Sequence, residues 1–143
     1  MSCKHDKISI MLRFFSDHYS SPPSQPGPAP RRLTRADYLR NKPAAAALVQ
    51  QKVAQLNAAY GFQFRAISIR NQKTRWGSCS RRGNLSFNWR ILLLDEPAQE
   101  YLIVHELCHL AEFNHSPRFW ALVARTVPDY RAIRRVMRMI KIR

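Results

Sequence analysis

The chain has 143 residues, 45% of them apolar, enough for one globular domain with a modest core. Its formal net charge of +15 draws it to polyanions: nucleic acid, nucleotides or an acidic protein surface. The longest early apolar run, Ile8 to Leu12, is too short to span a membrane and no secretory signal pattern is present, while Cys3, Cys79 and Cys108 are odd in number and widely spaced, which argues against a disulfide framework or a thiolate zinc site. The expectation is a cytoplasmic protein with reduced thiols.

Residues 1–32 differ from the rest. Ser20 to Pro30 holds five prolines and one glycine in eleven residues, the composition of an extended linker, so this part reads as a flexible Pro-rich tail and 33–143 as the folded domain. Thr34 and Asp37 form a capping box for a helix from Arg35, and Pro43 either kinks that helix or opens a second over Ala44 to Tyr60. On that stretch Leu48, Val49, Lys52 (by its stem), Val53, Leu56, Ala59 and Tyr60 share one face, and Gly61 supplies the stop. Alternation over 64–70 predicts a strand, Thr74 to Ser80 a second, and Leu85 to Trp89 a third after a turn at 81–84. Together they predict a small antiparallel sheet. Asp95-Glu96-Pro97 starts a buried helix expected to reach about Phe113 and to end in a left-handed turn at Asn114. Ser116-Pro117 opens the next helix, to about Val127. Asp129 is placed to cap the last, with Tyr130, Ile133, Met137 and Ile140 inward and Arg131, Arg134, Arg135 and Arg138 on the other side.

The buried helix carries the chemistry. His105 and His109 lie one turn apart on one face, about 6 Å between Cβ atoms, where two imidazoles can close on one cation. Glu106 sits beside them, placed to take a proton from a metal-activated water as general base. Burying His and Glu on an apolar helix costs desolvation energy that metal binding offsets. For a third ligand, Glu112 lies about 10 Å along the axis from His105, too far for one helix to converge all three on bonds of about 2 Å. His115, beyond the turn, can swing back and is assigned as the ligand. Glu112 is left to hold a ligand in place or to pair with an arginine. Three protein ligands leave one zinc position open, the catalytic arrangement. Tyr130, Tyr101 or an arginine is expected to steady the oxyanion.

Residues 65–90 add seven Lys/Arg and no carboxylate, with Trp76 and Trp89 interleaved. Such a stretch could bind single-stranded nucleic acid, but tryptophans in the core under a solvated basic face are the favoured account of it.

Several stretches carry a resemblance: Thr74-Arg-Trp-Gly-Ser-Cys-Ser80, Gly83-Asn-Leu-Ser-Phe-Asn88, and His105-Glu-Leu-Cys-His-Leu-Ala-Glu-Phe-Asn-His-Ser-Pro117 with Phe119-Trp120. Over about residues 34–143 they closely resemble the YgjP-like metal-dependent hydrolases, relatives of the SprT-like zinc metallopeptidases. The resemblance implies a compact zincin-type α+β domain, its small sheet packed on helices that include the HExxH helix. It implies one zinc ion on His105, His109 and His115, with Glu106 as catalytic base. It also places the Arg75-Trp76-Gly77-Ser78 strand near the cleft, where Arg75, Trp76 and Ser78 would meet an extended peptide. Fuller members carry a β-rich stretch ahead of the matched region, to which residues 1–30 look unrelated. The reading is a zinc-dependent metallopeptidase acting on polypeptide. A phosphoanhydride hydrolase acting on nucleotides, or a nucleic-acid-binding module with inert metal, are the alternatives.

Overall fold

The computed structural model describes residues 32–142 of the chain. The first helix, α1 (Arg35–Asn57), starts where the capping box predicts: the Asp37 amide donates to Thr34 Oγ1 at 3.3 Å, and the Thr34 amide donates to Asp37 Oδ2 at 2.8 Å. Pro43 neither ends it nor opens a second helix. Its missing N–H leaves the Leu39 carbonyl without a helical donor, but Leu39 is exposed and water can take that place. Ala45, Val49, Val53 and Leu56 form the buried face. Lys52 reaches along it to place Nζ 3.0 Å from Glu96 and 3.4 Å from Glu100. α1 ends at Asn57, whose side chain clamps the main chain of Phe62 from both sides around Gly61, at φ +68°.

Three strands follow: β1 (Ala66–Arg70), β2 (Gly77–Cys79) and β3 (Asn84–Asn88). The sheet is mixed, in the order β1-β3-β2, which corrects the antiparallel expectation: β3 pairs antiparallel with β2 and parallel with β1. The chain leaving β1 crosses the end of β3 before turning back as β2. Asn88, fully buried, holds that crossing by donating to the carbonyls of Gln72 (2.7 Å) and Arg75 (3.0 Å). Its Oδ1 accepts from the Arg90 amide and so turns the chain out of β3 into a 3₁₀ segment, Trp89–Leu93, which takes up Trp89, the predicted last residue of the strand. On one face of the sheet Ser68 and Ser86 share a hydrogen bond of 2.8 Å; on the other, Ile69, Leu85 and Phe87 are buried.

α2 (Glu96–Cys108) carries the motif and packs against α1, β2, α3 (Pro117–Thr126) and α4 (Tyr130–Met139). Asp95 caps α2 and Ser116 caps α3, each with proline in the first turn. Asp129 makes no side-chain cap bond to α4, contrary to expectation. α2 ends five residues before the predicted Phe113, at a right-handed His109, and no non-glycine among the described residues, Asn114 included, takes a positive φ. Tight bonds from Leu110 to the Leu107 carbonyl, and from Ala111 and Glu112 to the Cys108 carbonyl, close the turn instead. Among the described residues no helix is long and apolar enough to cross a membrane.

Candidate metal centre

His105 and His109 leave the last turn of α2 side by side, and the turn after it brings His115 back over them. His105 Nε2 lies 3.2 Å from His109 Nε2 and 3.1 Å from His115 Nε2. For a tetrahedral ion with Zn–N bonds of about 2.0–2.1 Å, neighbouring ligand atoms stand about 3.3–3.4 Å apart; two of the three pairs are close to that spacing and all three ligand atoms lie within 4.8 Å of one another, so the three imidazoles can close on one small cation. One nitrogen cannot hydrogen-bond both neighbours well, whereas three lone pairs facing a cation are all satisfied.

The surroundings keep those lone pairs available. His109 Nδ1 donates to the Glu112 carbonyl at 3.0 Å, which fixes the ring with Nε2 turned toward the cluster. Burial, reinforced by His109, His115 and Arg134, pushes His105 down to about 3, and burial with His109 and Arg134 lowers His115. Both rings are therefore neutral near pH 7. Phe119, fully buried on α3, forms a floor under all three imidazoles, with ring centroids 4.9, 4.5 and 4.8 Å from His105, His109 and His115. Trp120 stacks on His115 and Tyr130 on Trp120. The main-chain carbonyl of Glu112 holds His109, while its carboxylate lies 3.9 Å from Arg118.

Glu106 is 5% exposed and packs against the strand rather than into solvent. A Cβ added to Gly77 would stand 2.7 Å from its Oε1 and 2.8 Å from its Cγ, so the glycine is what lets the carboxylate lie under β2. Burial pushes the Glu106 carboxyl up to about 8.

β2 is an edge of the sheet among the described residues. Ser80 donates to Asn84 and Asn88 donates to the Trp76 carbonyl, so by alternation Ser78 turns its main chain to β3 while Gly77 and Cys79 turn theirs to the free edge. Two cavities open there. One, about 360 Å³, is lined by Arg75, Trp76, Gly77, His105, Glu106, Arg134 and Arg138 among others; the second, about 290 Å³, by Gly77, Ser78, Cys79, His105, Glu106 and Phe113 among others. Arg75, Trp76 and Ser78 are thus brought to the centre. Tyr130 is not brought to either cavity: it lines a neighbouring one with His115 and Trp120. Tyr101 lines the first, its hydroxyl 3.5 Å from His105 Nδ1. Trp89 is buried, with Nε1 donating to Asn71, and is not available to stack on a base.

Sequence reasoning gave no role to Gly77, Phe119 or Arg134. An isolated glycine inside a strand pattern was the available sign for the first. The other two depend on packing between helices.

The YgjP-like, metallopeptidase domain model matches residues 14–139, beginning ahead of the 34–143 span that the motifs mark out and inside the segment read as unrelated to the family. Among curated proteins none matches the chain. The crystal structure of the metallopeptidase zymogen of Pyrococcus abyssi abylysin is similar, with a TM-score of 0.58 and 26% identity over 64% of this chain and 94% of that one. That of Methanocaldococcus jannaschii jannalysin, also a metallopeptidase zymogen, shares the fold at a TM-score of 0.53 and 20% identity, over 64% of this chain and 97% of that one. The chain belongs to the YgjP-like metallopeptidase domain family.

Proposed function

We propose that the protein is a zinc-dependent peptidase, with zinc on His105, His109 and His115 and Glu106 as general base. The observation that carries this reading is the approach of three imidazole nitrogens, 3.1 and 3.2 Å from the central one, beside a buried carboxylate. Neutral imidazoles in a site with a position left open suit zinc.

When bound, the metal supplies a Lewis acid that polarises the scissile carbonyl and makes a water acidic enough to lose a proton near neutral pH. The chain's own residues do the rest. The free edge of β2 offers the main-chain groups of Gly77 and Cys79 to an extended peptide, which fixes the scissile bond over the imidazoles. Glu106 takes the proton from the attacking water at its carboxylate as the oxygen bonds to the carbonyl carbon. It then delivers that proton to the amide nitrogen as the C–N bond breaks. Packing against Gly77 keeps the carboxylate from turning away between the two transfers. Tyr101, in the first cavity, is the nearest phenol to His105, and burial pushes it up to about 12, so it stays protonated as a hydrogen-bond donor for the developing oxyanion.

The test is hydrolysis of casein and of quenched fluorescent peptides by zinc-loaded protein and its Glu106→Gln variant. The reading expects a loss of about 10²–10⁴-fold with zinc still bound. Equal cleavage by the variant contradicts it, as does release of phosphate from nucleoside triphosphates without peptide cleavage.

A further inference from the structure

The two cavities that meet at the metal centre differ in charge. Both include Gly77, His105, Glu106 and His115. Beyond these, one is bounded by three guanidinium groups, from Arg75, Arg134 and Arg138, and the other has no arginine or lysine among its lining residues.

Arg134 is not a loose surface charge. It is half-buried on α4, and its guanidinium sits 4.6 Å over the Trp120 ring. Trp120 is itself stacked on His115 at 5.5 Å, with the planes 23° apart. A cation held on an aromatic face loses part of its hydration and keeps its N–H edge free for a planar acceptor. Among the described residues the ion pairs use Lys52 and Arg118, and none joins Arg75, Arg134 or Arg138 to a carboxylate. Three guanidiniums beside one another in a cleft repel, and an anion between them relieves that repulsion. The pattern therefore asks for a negative group from the substrate, on one side of the centre only.

On the reading of this site as a peptidase, we propose that the Arg75–Arg134–Arg138 cavity is a specificity subsite. It takes the acidic side chain, Asp or Glu, of a substrate residue on one side of the scissile bond, while the opposite side takes a neutral residue. Arg134, preset on Trp120, grips the carboxylate through paired N–H donors, and Arg75 and Arg138 close the field around it. The overall charge of +15 attracts any acidic peptide but gives no preference between the two sides of the bond.

The test uses the full, zinc-loaded chain and peptides blocked at both termini, with Glu or Gln at each of two positions before and after the cleaved bond. The expected result is a kcat/KM at least about tenfold higher for Glu than for Gln, on one side of the bond only. Arg134→Gln should bring that ratio to within about threefold, and Arg75→Gln and Arg138→Gln, both of exposed side chains, should each lower it. Arg40→Gln, which removes the same charge from an exposed site on α1, should leave it unchanged. Equal rates on Glu and Gln peptides, an equal preference on both sides, or a preference that survives all three cleft substitutions overturns the proposal. Absence of all peptide cleavage would instead contradict the peptidase reading. Binding to zinc-loaded Glu106→Gln, followed by fluorescence anisotropy, then reads the subsite without turnover. Tenfold tighter binding of the Glu peptide, lost with Arg134→Gln, supports the subsite, and equal binding refutes it.

Discussion

Replacing Gly77 with alanine tests how the base is held. The added Cβ would lie 2.7, 2.8 and 3.0 Å from Oε1, Cγ and Cδ of Glu106, three overlaps with a side chain that is only 5% exposed. Because that side chain is packed under β2, it must swing out of its place or push the strand away. Inserting one methyl into such a contact costs about 1–3 kcal/mol of stability. A displacement of about 1 Å at a catalytic group costs on the order of 10² in rate. The three atoms nearest the methyl all belong to Glu106, so the base is displaced first and zinc affinity should change little. The assays are urea unfolding, zinc competition with a chromophoric chelator, and kcat/KM on a fixed peptide. Gly61→Ala is the control: its site is open space and only its φ of +68° is strained, so stability should fall by about 1 kcal/mol with activity kept. Adding Glu106→Asp to Gly77→Ala shortens the clashing side chain and should recover stability without recovering rate. A Gly77→Ala protein with wild-type kcat/KM would refute the reasoning.

Two further outcomes follow from buried polar groups. Burial raises the Glu106 carboxyl from 4.5 to about 8 in the metal-free fold, a difference worth at most on the order of 5 kcal/mol. A raised carboxyl stabilises the fold fully below its unfolded value and loses that contribution as pH rises through the folded one. Metal-free wild type should therefore weaken relative to Glu106→Gln between about pH 4.5 and 8. Urea midpoints of the two proteins across that range check it, and a pH-independent difference contradicts it. Asn88→Ala removes the donor to the Gln72 and Arg75 carbonyls and the acceptor for the Arg90 amide. It should cost about 1–3 kcal/mol in urea unfolding and raise hydrogen exchange across 71–76, and no change in either argues against that clamp.

Local signals were readable where the physics is local. The Thr34–Asp37 box, the Asp95 and Ser116 caps with their prolines, and the His105–His109 spacing are all set within one or two turns of helix. What failed depends on distant partners. The parallel pairing of β1 with β3 joins residues separated by the whole of β2, and no alternation pattern in one strand records it. The end of α2 was misplaced because Leu110 and Phe113 keep helical spacing, yet Leu110 is only half-buried and Phe113 is 47% exposed. The early stop is closed by the Leu110, Ala111 and Glu112 amides, with His109 bonding the Glu112 carbonyl beyond it, and the chain brings His115 back to the other imidazoles. Arg134 read as one of a row of solvent arginines, and its place over Trp120 comes from packing between α3 and α4.

The central claim is that one metal ion sits on three imidazoles, with a position left for water. Zinc K-edge absorption of the loaded protein measures that shell directly. The account predicts three imidazole nitrogens at about 2.0 Å with one further light atom, and one imidazole fewer in His115→Ala. Glu112→Gln should leave the shell unchanged. A shell of two imidazoles with a carboxylate lost on Glu112→Gln, or four protein ligands with no open position, would contradict it.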